Sequence, residues 1–225
     1  MSLQKMFGEI SGRYDFTNRV LSFNLHKSWN RKLVDTLAKS DVATLLDLCA
    51  GTGEIAYSWL KRQAEPKKAI LLDFSPEMLA IAKTRKPPNH EIILLHADAQ
   101  AIPLPDQSVE AIALAYGIRN VPNPPRCLLE AYRVLKPGGT LAILELTEPQ
   151  NPLLAPLHRF YLNHLLPRLG GWLSGKTEAY RYLSKSIQAF IKPDVLAKQL
   201  KAAGFASTEQ TPLTFGIAHL ISAKK

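Results

Sequence analysis

A short glycine-containing run flanked by carboxylates is the segment of this chain best suited to bind a ligand. Asp47-Leu48-Cys49-Ala50-Gly51-Thr52-Gly53-Glu54 begins in an apolar run, where a strand is expected to turn into a helix. Glycine adopts backbone angles that other residues resist, so Gly51 and Gly53 would let a ligand approach the main chain closely. We therefore expect Asp47, Gly51 and Gly53 to bind a cofactor.

Further residues of this kind stand where two neighbouring strands are expected to end. Asp73 follows the apolar run 69–72, and a carboxylate in that place can accept hydrogen bonds from both hydroxyls of a ribose. Asp98 and Ala99 follow the run 92–95, where an acidic side chain and a backbone N–H could read the edge of an adenine. These three residues complete the predicted cofactor-binding set.

The type of cofactor is indicated by the start of the first helix. A dinucleotide fingerprint is GxGxxG, whose helix points at a pyrophosphate, and Ala56 could stand for the third glycine. Glu54, however, falls in the first helical turn, where a carboxylate would repel a pyrophosphate and tolerate a sulfonium cation bearing an amino group. This chemistry favours S-adenosyl-L-methionine over NAD. An acidic residue followed by xGxG at the first strand also resembles class I methyltransferases.

The elements that must position these residues alternate between strand and helix. Apolar runs of strand length occur at 44–49, 69–72, 92–95, 109–116 and 140–144, with two further β-like segments near 207–212 and 217–223. The alternation predicts an α/β fold with a doubly wound, mostly parallel, Rossmann-like sheet and helical additions at the N-terminus and after strand 5. We expect one methyltransferase domain over 1–225, in which 1–40 form a helical cap and 147–190 a helical lid.

Length and composition agree with one compact domain. The chain has 225 residues, of which 46% are hydrophobic. No stretch of about 18 consecutive apolar residues exists, and residues 1–15 lack the apolar segment of a secretory signal. Cys49 and Cys127 show no CxxC or Cys/His spacing, and the six histidines show no ligand spacing. Reduced thiols, a cytoplasmic location and no metal site are therefore predicted.

The formal charge of +9 leaves three interpretations open. The excess of lysine and arginine could favour nucleic acid or an anionic membrane surface, or it could serve solubility alone. The basic residues are spread along the whole chain, with no run of five or more. Charge by itself does not choose among these interpretations.

Three segments resemble the C-methyltransferases of quinone biosynthesis, which methylate demethylmenaquinol and 2-polyprenyl-6-methoxybenzoquinol precursors. Residues 14–29 resemble that family's YDxxN…S…HxxW signature, residues 116–121 its FGxRNV signature, and residues 180–190 its YRYLxxSIxxF signature. The resemblance covers nearly the whole chain, and its GxRN and YRYL parts are the specific ones. It implies cofactor contacts at Thr52, Asp73, Asp98 and Ala99. Local differences such as Tyr116 for Phe and Ile191 for Pro bear on the preferred quinone headgroup.

The resemblance implies methyl transfer from a sulfonium to a ring carbon of a reduced quinol that has lost a phenolic proton. Such a reaction needs a positioned pocket, a route for the proton and positive charge near the phenolate. Arg119 would supply the charge and Asn120 would orient a hydroxyl or a water, so both are expected to be catalytic. Tyr14, His26 and Tyr116 are expected to bind the substrate. Arg119 could instead form a structural ion pair, and His26 could pack between helices.

The expected substrate is demethylmenaquinol, with a benzoquinol of the ubiquinone pathway as the alternative. Its polyprenyl tail suggests that the lid touches the inner face of the membrane, although simple packing of extra helices explains the same pattern. A homodimer is also open.

Two further functions remain as alternatives. Asn123-Pro124-Pro125 resembles the clamp of nucleic-acid amino-methyltransferases, but Arg126 replaces the aromatic residue and Pro125 is expected to start a helix. We therefore expect no nucleic-acid partner, with an RNA or DNA methyltransferase as the less favoured interpretation. A non-catalytic protein that binds S-adenosylmethionine is the other.

Overall fold

The computed structural model describes residues 3–10, 12, 14–38 and 42–225, apart from some N-terminal side chains. In these ranges the strands are β1 (Thr44–Leu48), β2 (Lys68–Asp73), β3 (Glu91–His96), β4 (Val109–Ala115), β5 (Leu135–Leu146), β6 (Ser207–Leu213) and β7 (Ala218–Lys224). The α-helices are α1 (Leu3–Ile10), α2 (Tyr14–Leu21), α3 (Leu25–Leu37), α4 (Glu54–Leu60), α5 (Pro76–Thr84), α6 (Pro124–Val134), α7 (Leu154–Phe160), α8 (Leu166–Ser174), α9 (Thr177–Ala189) and α10 (Pro193–Ala202).

The strands form one sheet in the order β3-β2-β1-β4-β5-β7-β6. The first five strands of this order are parallel, and β7 is antiparallel to both β5 and β6. The predicted doubly wound, mostly parallel sheet is therefore confirmed. The strand order reverses between β1 and β4, and the crevice at the carboxyl ends of such strands is where open α/β sheets bind ligands.

Helices cover both faces of the sheet and give it two cores. Adjacent β1 residues belong to different cores: Leu46 packs with α6 and α10, while Leu45 packs with α3 and α4. Both side chains are fully buried. A strand buried on both faces reads as a continuous apolar run, which is why β1, β2 and β4 were recognisable from sequence.

Side-chain caps set the starts of two helices. Ser75 accepts a hydrogen bond from the backbone N–H of Met78 at 3.3 Å, and Pro76 is the first residue of α5. Asn123 accepts from the N–H of Arg126 at 3.2 Å, so α6 begins at Pro124. The prediction that Pro125 starts this helix is wrong by one residue, because the Asn123 side chain provides the cap.

The segment Lys136–Gly139 interrupts the regular pairing of β5 with β4. Helix α6 ends at Val134 and β5 starts at Leu135, so the Pro-Gly-Gly turn lies inside the strand as an irregularity. The register between β4 and β5 shifts between Val109 and Ala111 at this point. Between these two pairs β5 has three residues more than β4, and the strand accommodates them as an extended bulge.

Helices from the two ends of the chain pack together above the sheet. Leu21 of α2, Leu166 of α8 and Tyr180 and Ile187 of α9 form a third buried cluster. A π-helical turn, Tyr161–Leu165, links α7 to α8. The division into a cap over 1–40 and a lid over 147–190 stays a prediction. Within the described ranges, no helix combines the length and the apolar character needed to cross a bilayer.

Candidate active site

The loop between β1 and α4 has a backbone that requires glycine. Gly51 has a φ of 55° and Gly53 a φ of 83°, in the left-handed region. A Cβ built on Gly53 would lie 2.6 Å from the Tyr57 ring and 2.9 Å from Leu71. The loop can therefore close tightly over the start of α4 only with glycine at position 53. Glu54 is the first residue of α4, as predicted.

Two buried carboxylates hold this loop. Asp47 Oδ2 accepts from the N–H of Ala56 at 3.0 Å, and Asp73 accepts from Gly51 N–H at Oδ2 and Ser75 N–H at Oδ1, both at 2.8 Å. Burial raises the pKa of Asp47 to about 7. Burial also raises the pKa of Asp73, while the hydrogen bonds from Ser75 and Gly51 oppose that shift. Burial thus favours the protonated forms of the two carboxyl groups that hold the loop.

Asp98 and Ala99 lie beside Asp73 at the end of β3. Asp73 pairs with His96 in the sheet register, and its carbonyl accepts from the N–H of Ala97 at 3.2 Å. Asp98 is exposed and accepts from the N–H of Gln100 at 2.8 Å, whereas Ala99 is buried. The three strand ends therefore meet at one edge of the sheet.

The loop 49–53 between β1 and α4 is called the glycine loop below. A cavity of about 420 Å³ opens beside it. Of the predicted site residues, its wall contains Asp47, Gly51, Thr52, His26, Tyr116 and Arg119. Gly53, Asp73, Asp98, Ala99 and Asn120 lie outside this wall. The Tyr14 side chain falls outside the described residues. The cavity wall thus brings together residues from all three predicted sets. It combines the cofactor residues of the β1–α4 region with two substrate-binding residues and the catalytic Arg119.

The turn after β4 packs directly on the glycine loop. A Cβ built on Gly117 would lie 2.4 Å from the Cβ of Cys49, so only glycine fits there. Tyr116 has a φ of 57°, and its hydroxyl donates to Asn30 Oδ1 of α3 at 2.9 Å. The Tyr116 ring is thereby fixed against the N-terminal helices in the cavity wall.

Arg119 forms a buried ion pair with Glu145 at the end of β5. Their side chains are 5% and 2% exposed. Arg119 Nη1 donates to Glu145 Oε1 and to the carbonyl of Tyr116, while Arg119 Nε has no partner among the described residues. Burial raises the pKa of Glu145, and Arg119 opposes that shift. The alternative prediction that Arg119 forms an ion pair is therefore confirmed. The same arginine also lines the cavity.

Asn120 connects the turn to α9. Its Nδ2 donates to the Tyr116 carbonyl at 3.3 Å, and its Oδ1 accepts from the Tyr182 hydroxyl at 3.0 Å. The GIRN and YRYL segments are thus in direct contact. Sequence reasoning missed Glu145 and the hydroxyl role of Tyr182. Glu145 could have been found by the rule that selected Asp73, since it ends an apolar strand at the same edge of the sheet.

His26 lies between the N-terminal helices and the glycine loop. Its Nδ1 is 2.7 Å from Ser22 Oγ, and its Nε2 is 4.0 Å from Glu54 Oε1. The residue is only 8% exposed. It both packs between helices and forms part of the cavity wall, so the two predicted interpretations of His26 are compatible.

The chain was compared with known proteins. A model described as the ubiE/COQ5 methyltransferase family matches residues 1–225. A demethylmenaquinone methyltransferase of Protochlamydia amoebophila is 47% identical over 100% of this chain and 95% of its own length, and one of Thermus thermophilus is 42% identical over 95% and 96%. A ubiquinone/menaquinone biosynthesis C-methyltransferase of Dinoroseobacter shibae is 35% identical over 99% and 90%.

Solved structures agree on the fold. An S-adenosylmethionine-dependent methyltransferase of Thermotoga maritima has a TM-score of 0.67 at 20% identity, with 100% of both chains covered. Another from Aquifex aeolicus has a TM-score of 0.58 at 21% identity, with 80% of this chain and 81% of that chain covered. At these identities the likeness establishes the class I methyltransferase architecture and nothing about the substrate.

Proposed function

We propose that this chain, which belongs to the ubiE/COQ5 methyltransferase family, methylates a ring carbon of a reduced prenylated quinone precursor with S-adenosyl-L-methionine. Demethylmenaquinol is the favoured substrate, because the relatives at 47% and 42% identity are demethylmenaquinone methyltransferases. A benzoquinol of the ubiquinone pathway is the alternative that the relative at 35% identity supports. The observation that carries the proposal is the shared cavity wall of the glycine loop and Arg119.

The residues at the strand ends suit S-adenosyl-L-methionine. The left-handed glycines leave room at the backbone for the methionine part, beside the buried Asp47. Asp73 would take the ribose hydroxyls, since each of its oxygens can accept further hydrogen bonds. Asp98 and Ala99 would bind the adenine. When bound, this cofactor supplies an electrophilic methyl group on a positively charged sulfur.

The remaining residues of the cavity would position the quinol and handle its proton. Arg119 would stabilise the developing phenolate by short-range donation from its guanidinium N–H groups as the phenol loses its proton, although its net charge is balanced by Glu145. An arginine with a pKa above about 12 does not act as a base, so the proton leaves through water that Asn120 orients. Tyr116, His26 and Tyr14 would line the quinol site. A dry, preorganised cavity would hold the ring carbon in line with the methyl group.

We also propose peripheral contact with the inner face of the cytoplasmic membrane, with the protein otherwise in the cytoplasm. Phe23, Leu157 and Phe215 belong to the cavity wall and are 73%, 67% and 79% exposed, and Trp172 of α8 is 83% exposed. Apolar side chains in these positions suit a lipid surface from which a prenylated substrate arrives.

Sedimentation with vesicles tests this contact. The wild-type protein should sediment with vesicles that contain anionic lipid, and a smaller fraction of the double variant Phe23→Ser, Trp172→Ser should do so. Equal sedimentation of both proteins would contradict the contact. A homodimer stays a prediction.

Transfer of labelled methyl groups to defined acceptors tests the reaction. Demethylmenaquinol, the corresponding benzoquinol and bulk tRNA are offered separately under reducing conditions. The proposal expects label in the quinol fraction. Label in tRNA would support a nucleic-acid methyltransferase, and no label in any acceptor despite cofactor binding would support a non-catalytic binding protein.

A further inference from the structure

We propose that Glu145 is a positioning residue that holds the Arg119 guanidinium in the cavity wall and cancels its charge, so that a sulfonium cofactor can bind in the same cavity. The inference rests on the proposed function, because it requires S-adenosyl-L-methionine as the ligand. It assigns Glu145 a role through Arg119 and no direct contact with the reacting atoms.

The orientation of Arg119 depends on Glu145. Strands β4 and β5 are in register up to Ala115 and Leu144, so Glu145 stands beside the turn that carries Arg119. Its carboxylate accepts from Arg119 Nη1, from Arg119 N–H at 3.3 Å and from Leu146 N–H at 2.8 Å. Three donors on one buried carboxylate fix both the backbone of the turn and the guanidinium of Arg119.

The charge of Arg119 would otherwise oppose the cofactor. The close packing of Gly117 on Cys49 brings the Arg119 turn against the glycine loop. Arg119 and Gly51 line one cavity, where two cations repel each other more strongly than in water. With Glu145 ionised, the pair adds no net charge to a cavity wall that also contains the acidic residues Asp47 and Glu54.

Arg119 and Glu145 differ in the charge that each keeps when its partner is replaced. A buried guanidinium keeps its proton, so Glu145→Gln leaves a permanent cation in the cavity wall. A buried glutamate can take up a proton instead, and burial already raises the pKa of Glu145. We therefore expect Arg119→Gln to leave no added charge at the position of the pair.

The test compares two ligands that differ in charge. S-adenosylhomocysteine lacks the methyl group and the positive charge on sulfur, so the ratio of its affinity to that of S-adenosylmethionine reports the electrostatics of the cavity. Calorimetric titrations would measure both Kd values for the wild type, Glu145→Gln, Arg119→Gln and the double variant. A matched control is Glu110→Gln, which removes the Glu110–Lys136 pair near the start of β4.

Glu145→Gln should weaken S-adenosylmethionine binding at least about threefold more than S-adenosylhomocysteine binding. Arg119→Gln, the double variant and Glu110→Gln should keep the wild-type ratio. Turnover should fall at least about tenfold in Glu145→Gln, and Glu145→Gln should add little to the loss already present in Arg119→Gln. A merely structural role would weaken both ligands equally.

An unchanged ratio in folded Glu145→Gln would overturn the inference, as would an equal further loss of turnover in the Arg119→Gln background. If Glu145→Gln does not fold, the variant that carries both Glu145→Gln and Arg119→Gln takes its place. The inference expects this double variant to fold and to keep the wild-type ratio of the two Kd values, and either failure contradicts the inference. Wild-type protein that binds neither ligand, or that leaves the quinol unmethylated, would instead contradict the proposed function.

Discussion

The hydroxyl of Tyr182 donates a 3.0 Å hydrogen bond to Oδ1 of Asn120, which ties α9 to the turn that follows β4. Asn120 also donates to the Tyr116 carbonyl at 3.3 Å, so its amide is held from both sides. Helix α9 therefore takes part in orienting a residue that we place in the catalytic machinery.

Replacing Tyr182 with phenylalanine tests this contact. Loss of one hydrogen bond of about 1 kcal/mol should let the Asn120 amide rotate and lower kcat roughly fivefold, with a smaller effect on cofactor affinity. Steady-state kinetics and S-adenosylhomocysteine titration measure the two effects. Tyr132→Phe is the matched control, since that ring packs on Phe205 far from the cavity. A Tyr182→Phe protein with wild-type kcat would show that the hydrogen bond does not position Asn120.

Gly117→Ala should destabilise the protein by about 2 kcal/mol or more, because the new methyl group would lie 2.4 Å from the Cβ of Cys49. Thermal or urea unfolding measures the loss. Gly8→Ala is the control, since its methyl group meets only the flexible end of the Glu77 side chain at 3.0 Å.

Cys49→Gly should rescue Gly117→Ala. Cys49 has a φ of 56°, which glycine adopts without strain, and its removal frees the space that the alanine needs. The double variant should therefore be more stable than Gly117→Ala alone. Equal stability of the two would mean that the clash lies elsewhere.

Asp47 should make stability depend on pH between about 4 and 7. Its pKa is 3.8 in the unfolded chain and about 7 in the folded protein, so the folded state binds the proton more tightly. Stability is fully present below the lower value and is lost as the pH rises through about 7, by on the order of 1.4 kcal/mol per pKa unit.

Asp47→Asn removes this titration. The variant should gain stability relative to the wild type as the pH rises from 4 to 7 and stay level above that, as urea unfolding at each pH would measure. A constant difference between Asp47→Asn and the wild type would mean that Asp47 titrates normally.

Arg119→Ala should abolish turnover while S-adenosylhomocysteine affinity changes less than about threefold. The physical reason is that, in the proposed function, Arg119 would act on the developing phenolate, whereas Asp73 and the glycine loop would hold the cofactor. Calorimetry and a methyl-transfer assay on the same preparation separate the two effects. A comparable loss of cofactor binding would make Arg119 structural.

Local pattern sufficed to predict the sheet and the strand-end residues. Buried parallel strands read as apolar runs, and the acidic residues at the ends of two of them, Asp73 and Asp98, mark the shared carboxyl edge. The Arg119–Glu145 pair and the Tyr182–Asn120 bond could not be predicted, because each depends on which residues of distant segments come into register. The start of α6 was misplaced by one residue because two consecutive prolines both fit a helix start, and only the Asn123 cap distinguishes them.

The most direct test of the central claim is the transfer of a labelled methyl group from S-adenosylmethionine to purified demethylmenaquinol, with Arg119→Ala alongside the wild type. We predict a labelled ring carbon with the wild type and none with the variant. Tight cofactor binding without any labelled quinol, or equal labelling by both proteins, would contradict the account.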